Sequence, residues 1–483
     1  MGFHLAFTPP AGGFDTIAAA YLLSPGKRDY SLEKIFFEKT GEEISKDGAG
    51  KTAAAILILA KILKTELEKN KMAFLAKQIE FPLIEVLANM EAMGVKIDTE
   101  RLKSLSLKIG GKIEELRKKI FALCGEEFNI NSTRELSRIL FEKLKIPTKG
   151  VKKTKTDYST AADTLGQIKF LHPVAPLISQ HRELAKIKST YADALPCLIS
   201  PKTGRIHTTF NQVLTATGRL SSSNPNLQNI PIKTEIGNEI RMAFVPENKD
   251  WLLLSLDYSQ IELRIVASMS SDEKMLALFA AGGDIHTETA AEIQGVAPEQ
   301  VTERMRNAAK ALNFGIIYGM SSHGFSQVTG MSREEAQDFI DRYLARFYGV
   351  SRFIEEAKEA AQKKGYAETI FGRRRWLPEL NSPNFQVRSA AERMAINMPI
   401  QGTAADIIKL AMVSAYGKYK NDPDINIVLQ VHDELVFEVK KEKAAAYAEE
   451  IKKIMENVYM LRVPLKASAL IGENWGEMEK IKN

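Results

Sequence analysis

Two strand-like apolar runs in this chain end in an aspartate with no evident structural task. The first is Trp251-Leu252-Leu253-Leu254-Ser255-Leu256-Asp257, followed by Tyr258-Ser259-Gln260-Ile261-Glu262. The second is Ile427-Val428-Leu429-Gln430-Val431-His432-Asp433-Glu434-Leu435-Val436-Phe437. An acid at the end of a buried strand is costly unless positive charge meets it. Two such acids side by side would repel, and a pair of divalent metal ions is the usual remedy. Between them Arg306, Lys310, Phe314 and Tyr318 follow one another at intervals of four. On a helix each such step advances about 400°, so the four side chains form one slowly drifting stripe. Its cations suit phosphates and its aromatic rings suit base and sugar faces. Acids for metals and a cationic, aromatic face for a nucleoside triphosphate read as phosphoryl transfer.

Each feature also has an ordinary reading. An aspartate between two strands is common in a tight hairpin, which is what Val431-His432-Asp433-Glu434 resembles. The stripe could belong to a surface helix with snorkelling basic residues and two buried rings. Gly315 and Gly319 weigh against that, because glycine lowers helix propensity unless a ligand or strand comes close.

The surrounding pattern places these residues. The chain has 483 residues, so several subdomains are expected. Hydrophobic content of 45% and charged content of 26% fit an ordinary globular protein. The net charge of +6 is modest, so nucleic-acid binding would rest on local patches. Two cysteines, Cys124 and Cys197, are too few for a disulfide framework and read as buried small apolar residues in a reducing compartment. No membrane span is expected, and Pro9-Pro10-Ala11-Gly12-Gly13 argues against a signal peptide. Ala49-Gly50-Lys51-Thr52 is half a phosphate-binding loop, but Ser45 stands where its first glycine should be, so it reads as a loop entering a helix. Helices are expected at 77–93 and 98–123, and a capping box at Ser132-Thr133-Arg134-Glu135 opens another. Lys143, Lys145, Lys149, Lys152, Lys153 and Lys155 form a basic loop, by composition a solvated turn. Residues 270–365 read as mostly helical, and the last hundred return to mixed strand and helix.

Longer stretches carry a resemblance. Asp257-Tyr258-Ser259-Gln260-Ile261-Glu262-Leu263-Arg264, Arg306 through Gly319, and Val431-His432-Asp433-Glu434 resemble motifs A, B and C of the family A DNA polymerases. Thr215 through Ser222, Asp284-Ile285-His286-Thr287 and Met398 through Asp406 extend the match. Their order and spacing are similar to those of the bacterial DNA polymerase I large, Klenow-type fragment over roughly residues 77–483.

The resemblance implies an α+β right-hand architecture, a palm with an antiparallel sheet plus helical fingers and thumb. Residues 1–75 would be a remnant of a 3′–5′ exonuclease-like domain and 76–99 a helix connecting to the palm. Residues 100–200 would be the thumb, 201–269 palm, 270–385 fingers and 386–483 palm. Asp257, Asp433 and the Tyr258 carbonyl would hold two magnesium ions, with manganese able to substitute. Arg306, Lys310 and His286 would grip the triphosphate, and Lys310 would protonate the leaving group. Phe314 would meet the sugar and base, Gln260 the nucleotide, and Tyr318 the template position until the fingers close. Glu262 would exclude a ribose 2′-hydroxyl. Arg219 and Gln401 would read minor-groove acceptors, with Arg393 and Asn397 on the same helix face as Gln401. His432 would contact the primer terminus, Asn229 the DNA, and Lys152 and Lys153 the duplex backbone at the thumb tip. Glu434 would support the metal site.

The implied partners are primer–template DNA and deoxynucleoside triphosphates, for a monomer in a bacterial or phage-infected cytoplasm or an organelle. The acids that a two-metal exonuclease requires are missing from residues 1–75, and no 5′-nuclease segment is seen. The activity expected is therefore template-directed DNA synthesis without proofreading. Two alternatives stand beside it: a relative adapted to RNA templates, and a catalytically silent DNA-binding relative.

Overall fold

The strand expected to end at Asp257 runs Trp251–Tyr258 and lies at the centre of a five-stranded antiparallel sheet. Across the sheet the order is Glu479–Lys480, Ala467–Gly472, Trp251–Tyr258, Glu434–Lys440 and Ile425–Val431. The computed structural model describes residues 13–44, 49–154, 157–231 and 234–481. Leu252 through Leu256 are buried without alternation. The helix Ala444–Asn457 packs on the three middle strands, and helices Phe81–Met93 and Phe385–Tyr419 pack on the outer strand Ile425–Val431. A strand covered on both faces reads as a continuous apolar run, which is the pattern at 252–256.

The expected helix at 77–93 is a π-type turn, Leu75–Glu80, running into regular helix from Phe81 to Met93. The 98–123 helix is Thr99–Cys124, capped by Asp98, whose carboxylate accepts from the Arg101 N–H at 3.0 Å. It ends at Gly125, whose φ of 70° places it in the left-handed region that glycine tolerates best. Only half of the capping box forms. Ser132 Oγ accepts from the Glu135 N–H at 3.3 Å, but the Glu135 carboxylate accepts from the Asn129 N–H, not from Ser132. The end of the long helix, the short helices after it and the start of Val174–Ile187 share a small apolar core of their own, with Cys124, Leu140 and Ile178 in it. Residues 261–364 are helical almost throughout.

Residues 13–44 and 49–69 are not a loose appendage. Helices Thr16–Leu23, Leu32–Thr40 and Ala49–Lys69 bury Tyr21, Ile35, Leu59 and Leu63 in the same apolar core as the sheet. Lys51 and Thr52 lie in the first turn of the third helix, which fits a loop entering a helix; Ser45 lies outside the described residues. So do Pro9 through Gly12 and Lys155. Cys124 is buried as expected, whereas Cys197 is exposed at the end of a short helical turn, because the chain leaves the core after Leu195. Among the described residues no helix is long and apolar enough to cross a membrane.

Candidate active site

The sheet brings the two aspartates together. Ile425–Val431 and Glu434–Lys440 form a hairpin whose two-residue turn is His432-Asp433. The same hairpin lies beside the central strand with Glu434 opposite Asp257, and the Tyr258 N–H donates to the Asp433 carbonyl at 3.2 Å. The hairpin turn and the approach of the acids are therefore parts of one arrangement. His432 is left-handed, with φ of 55°, and so is Gln260, with φ of 55°, just after the other acid. Each such non-glycine residue costs on the order of 1–3 kcal/mol and persists where the surroundings over-determine it.

Charge in this cleft is unbalanced. Loss of hydration, then Glu434, then Asp433 raise the Asp257 carboxyl from the usual 3.8 to about 7, although its tip still meets solvent. Asp433 is raised by burial, against the opposing pull of Arg219 and His432. Glu434 is already engaged. It accepts from Ser255 Oγ at 2.6 Å and Trp475 Nε1 at 2.9 Å, with Arg241 at 3.7 Å. The guanidinium of Arg241 stacks 3.9 Å from the Trp475 ring. Glu434 thus adds negative potential while its oxygens are occupied, which suits support better than ligation.

Among the described residues no three His, Cys, Asp or Glu side chains form a ready-made metal cage. Two hard carboxylates and a backbone carbonyl, with repulsion left unrelieved, fit magnesium, which takes few protein ligands and completes its shell with water and substrate phosphate. In metal-free protein, Asp257→Asn should raise the melting temperature. The sign follows from the raised pKa. Below pH 4 folded and unfolded chains both carry the proton. Between pH 4 and about 7 the unfolded chain releases it first, so the wild type loses stability relative to the variant, and above about 7 the gap is constant. After solvent screening the gap is about 1 kcal/mol. Thermal scans in chelator from pH 4 to 8 measure it, and excess magnesium should narrow it. A gap independent of pH would mean that Asp257 carries no such repulsion.

The stripe lies on the helix Glu303–Ile317, with Tyr318 capping its C-terminus and Thr302 its N-terminus. Arg306 Nε donates to Asp284 Oδ2 at 2.6 Å, and Lys310 is exposed. Phe314 is half-buried and tilts against His286, ring centroids 5.8 Å apart. His286 is buried, and loss of hydration lowers its pKa to about 4. It is neutral near pH 7, so it can offer a hydrogen bond but no charge. The Asn313 amide, 3.1 Å from Nδ1, assigns the ring proton to Nε2. The close approaches at the glycines come from side chains of the chain itself. A Cβ at Gly315 would lie 3.0 Å from Met320 Sδ, and one at Gly319, φ 62°, would lie 2.6 Å from Arg393 Cγ.

Glu262 is buried and binds two neighbours. It accepts from Arg219 Nη2 at 2.9 Å and from the Tyr318 hydroxyl at 3.3 Å. Gln401 stands beside the same hydroxyl. Arg393, Asn397 and Gln401 follow one another on the helix Phe385–Tyr419. Arg393 is exposed, and Asn397 Nδ2 is buried with no hydrogen-bond partner among the described residues. Loss of hydration, then Arg219, lower the pKa of His432 against the opposing pull of Asp433 and Glu434.

The remaining sites lie apart from this cluster. Asn229 is exposed, and its carbonyl accepts from the Tyr191 hydroxyl at 2.8 Å. Lys152 and Lys153 are exposed, with Lys153 bridged to Tyr158 and 5.6 Å from its ring. Lys143 belongs to a helical turn and pairs with Glu126 at 2.8 Å, so it is not part of the free loop.

The family model for DNA polymerase family A matches residues 99–477. The chain belongs to that family. DNA polymerase I of Bacillus subtilis is 45% identical over 96% of this chain and 55% of its own length. Thermostable DNA polymerase I of Thermus aquaticus is 46% identical over 97% and 55%. This chain therefore spans about half the length of these curated relatives. Among solved structures, the POL domain of Pol1 from M. smegmatis in complex with DNA primer-template and dNTP matches with a TM-score of 0.90 and 40% identity, over 96% of this chain and 82% of that one.

In this family A chain two parts of the site escaped the sequence reading. Arg241 and Trp475 lie far from any motif, and only the fold shows that they hold Glu434. Arg373, in the run Gly372-Arg373-Arg374-Arg375, belongs to no motif singled out in the sequence and is fully buried. Its signal was a basic run directly after a turn glycine, which by itself indicates only a solvated loop.

Proposed function

We propose that this chain is a template-directed DNA polymerase that adds deoxynucleotides to a primer 3′ end. The observation that carries the reading is the register that sets Asp257 and Glu434 opposite each other, with Asp433 in the adjoining turn and their repulsion unrelieved. The five-stranded sheet would be the palm, residues 270–385 the fingers and 100–200 the thumb. Asp257, Asp433 and the Tyr258 carbonyl would hold two divalent ions. Bound there, such ions lower the pKa of an attacking hydroxyl and neutralise a leaving pyrophosphate.

The protein's own groups do the rest. Arg306 would exchange Asp284 for phosphate, Lys310 would meet the triphosphate and supply a proton to the leaving group, and neutral His286 would donate through Nε2. Phe314 and Gln260 would bound the sugar. Arg219 and Gln401 would read groove acceptors common to all correct pairs, with Arg393 and Asn397 beside them. His432 and Asn229 would meet the primer and duplex, and Lys152 and Lys153 the phosphates, whose contacts supply most of the DNA affinity.

Primer extension with magnesium and all four deoxynucleotides, on DNA and on RNA templates, tests the reading. Extension on DNA is expected. Binding without extension would favour a silent DNA-binding relative, and equal use of RNA would favour reverse transcription. The same 483 residues, given primer and no nucleotides, should leave a mismatched 3′ end intact, since the acidic motifs of a two-metal exonuclease are missing from residues 1–75. Shortening that survives loss of Asp257 would show a second nuclease site.

Glu262→Ala should admit ribonucleotides at least about tenfold more readily relative to deoxynucleotides, the scale of one close contact of about 1.4 kcal/mol. Matched extension should also fall somewhat, because Arg219 and Tyr318 lose their shared acceptor. The ratio of kcat/KM for the two sugars measures it, and an unchanged ratio would clear Glu262 of the role.

A further inference from the structure

We propose that Tyr21 and Arg373 are positioning residues that clamp the loop 212–219 and so fix where Arg219 points. The inference rests on the reading of Arg219 as a groove reader. Arg373 is fully buried, and its Nε donates to Asp406 Oδ1 at 2.8 Å. Its Nη2 pairs with Glu80. Buried Lys409 donates to the same Glu80 carboxylate at 2.8 Å, and Thr369 Oγ1 to Asp406 Oδ2 at 2.8 Å. Buried ions are tolerated when each is matched in this way, and they hold their geometry firmly because losing one partner strands the others.

This cluster grips the loop at successive points. Gln212 Nε2 donates to the Glu80 carbonyl at 2.7 Å. The Tyr21 hydroxyl, reaching in from the N-terminal helix, donates to the Thr215 carbonyl at 2.7 Å. Thr215 Oγ1 donates in turn to the Arg219 carbonyl at 2.7 Å. Gly218 has φ of 89°, and the Arg373 side chain lies so close that a Cβ there would come within 2.4 Å of Nε. On the other side, a Cβ at Gly402 would lie 3.1 Å from the Thr217 carbonyl, next to Gln401. The loop is therefore seated between the buried arginine and the helix that bears Gln401. The N-terminal helix contributes a bond to this seating, so it takes part in shaping the cleft.

The test compares matched with mismatched primer extension, as a ratio of kcat/KM, well below the melting temperature. Tyr21→Phe removes only the hydroxyl. It should lower the ratio about 3- to 10-fold, the range that one lost hydrogen bond gives. Arg219→Ala should lower it too, and adding Tyr21→Phe to Arg219→Ala should lower it no further. Arg373→Lys keeps the charge but removes the planar, forked guanidinium that meets Asp406, Glu80 and the backbone at Gly218, and it should act in the same direction as Tyr21→Phe. A purely structural role would shift the melting temperature of Tyr21→Phe and leave the ratio alone, which would overturn the proposal. Additive losses in the double variant would also overturn it. An unchanged ratio in Arg219→Ala would instead remove the groove-reading assignment, and the proposal with it. If Arg373→Lys fails to fold, the Tyr21 and Arg219 variants decide the matter.

Discussion

Asp257→Ala or Asp433→Ala should abolish primer extension while leaving primer–template affinity within a few-fold of wild type. Metal-assisted activation and charge neutralisation supply several kcal/mol, so the loss is expected to be on the order of 10³-fold or more. Affinity should survive because it comes mainly from phosphate contacts at many separate side chains. Removing either carboxylate also relieves repulsion within the cluster of Asp257, Asp433 and Glu434, so neither variant should fail for want of folding. The measurement pairs single-turnover extension with equilibrium binding of a labelled duplex. Turnover near wild type in either variant would refute the two-ion assignment. Loss of binding in step with activity would mean that the acids shape the duplex site instead.

Phe314→Tyr should raise the use of 2′,3′-dideoxynucleotides sharply while changing deoxynucleotide use little. The ring lies one helical turn beyond Lys310 and tilts against His286, so on the proposed reading it would face the sugar once the cations held the phosphates. On the same reading a normal substrate's 3′-hydroxyl would help order the triphosphate, and a tyrosine hydroxyl would stand in for it when it is missing. One polar contact in a closed site is worth about 1–3 kcal/mol, or roughly 5- to 150-fold in selectivity. Competitive chain termination by both enzymes on one template gives the ratio. Equal termination would place Phe314 away from the sugar and put the assignment of the whole helix in doubt.

The sequence alone was sufficient for the family, the central strand and the long helices. The central strand was legible because an unbroken apolar run marks a strand buried on both faces. The helix Glu303–Ile317 was legible because a four-residue repeat of cations and rings has no use in a core. Composition could not show which charges are already spent. Arg306 is occupied by Asp284, Glu434 by Ser255 and Trp475, and Glu262 by Arg219 and Tyr318, all partners separated by at least 20 residues in the chain. Nor could it show that His286 is neutral, since that follows from burial against Phe314 and Asn313. The burial of Arg373 and the contact made by the N-terminal helix left no mark in the sequence, for one reason. Whether an arginine is solvated or sealed among acids depends on which distant segments close over it. Only the packing of residues 21, 80, 373, 406 and 409 decides that, because a buried ion pair is a property of the assembled interior and leaves no periodicity in the chain.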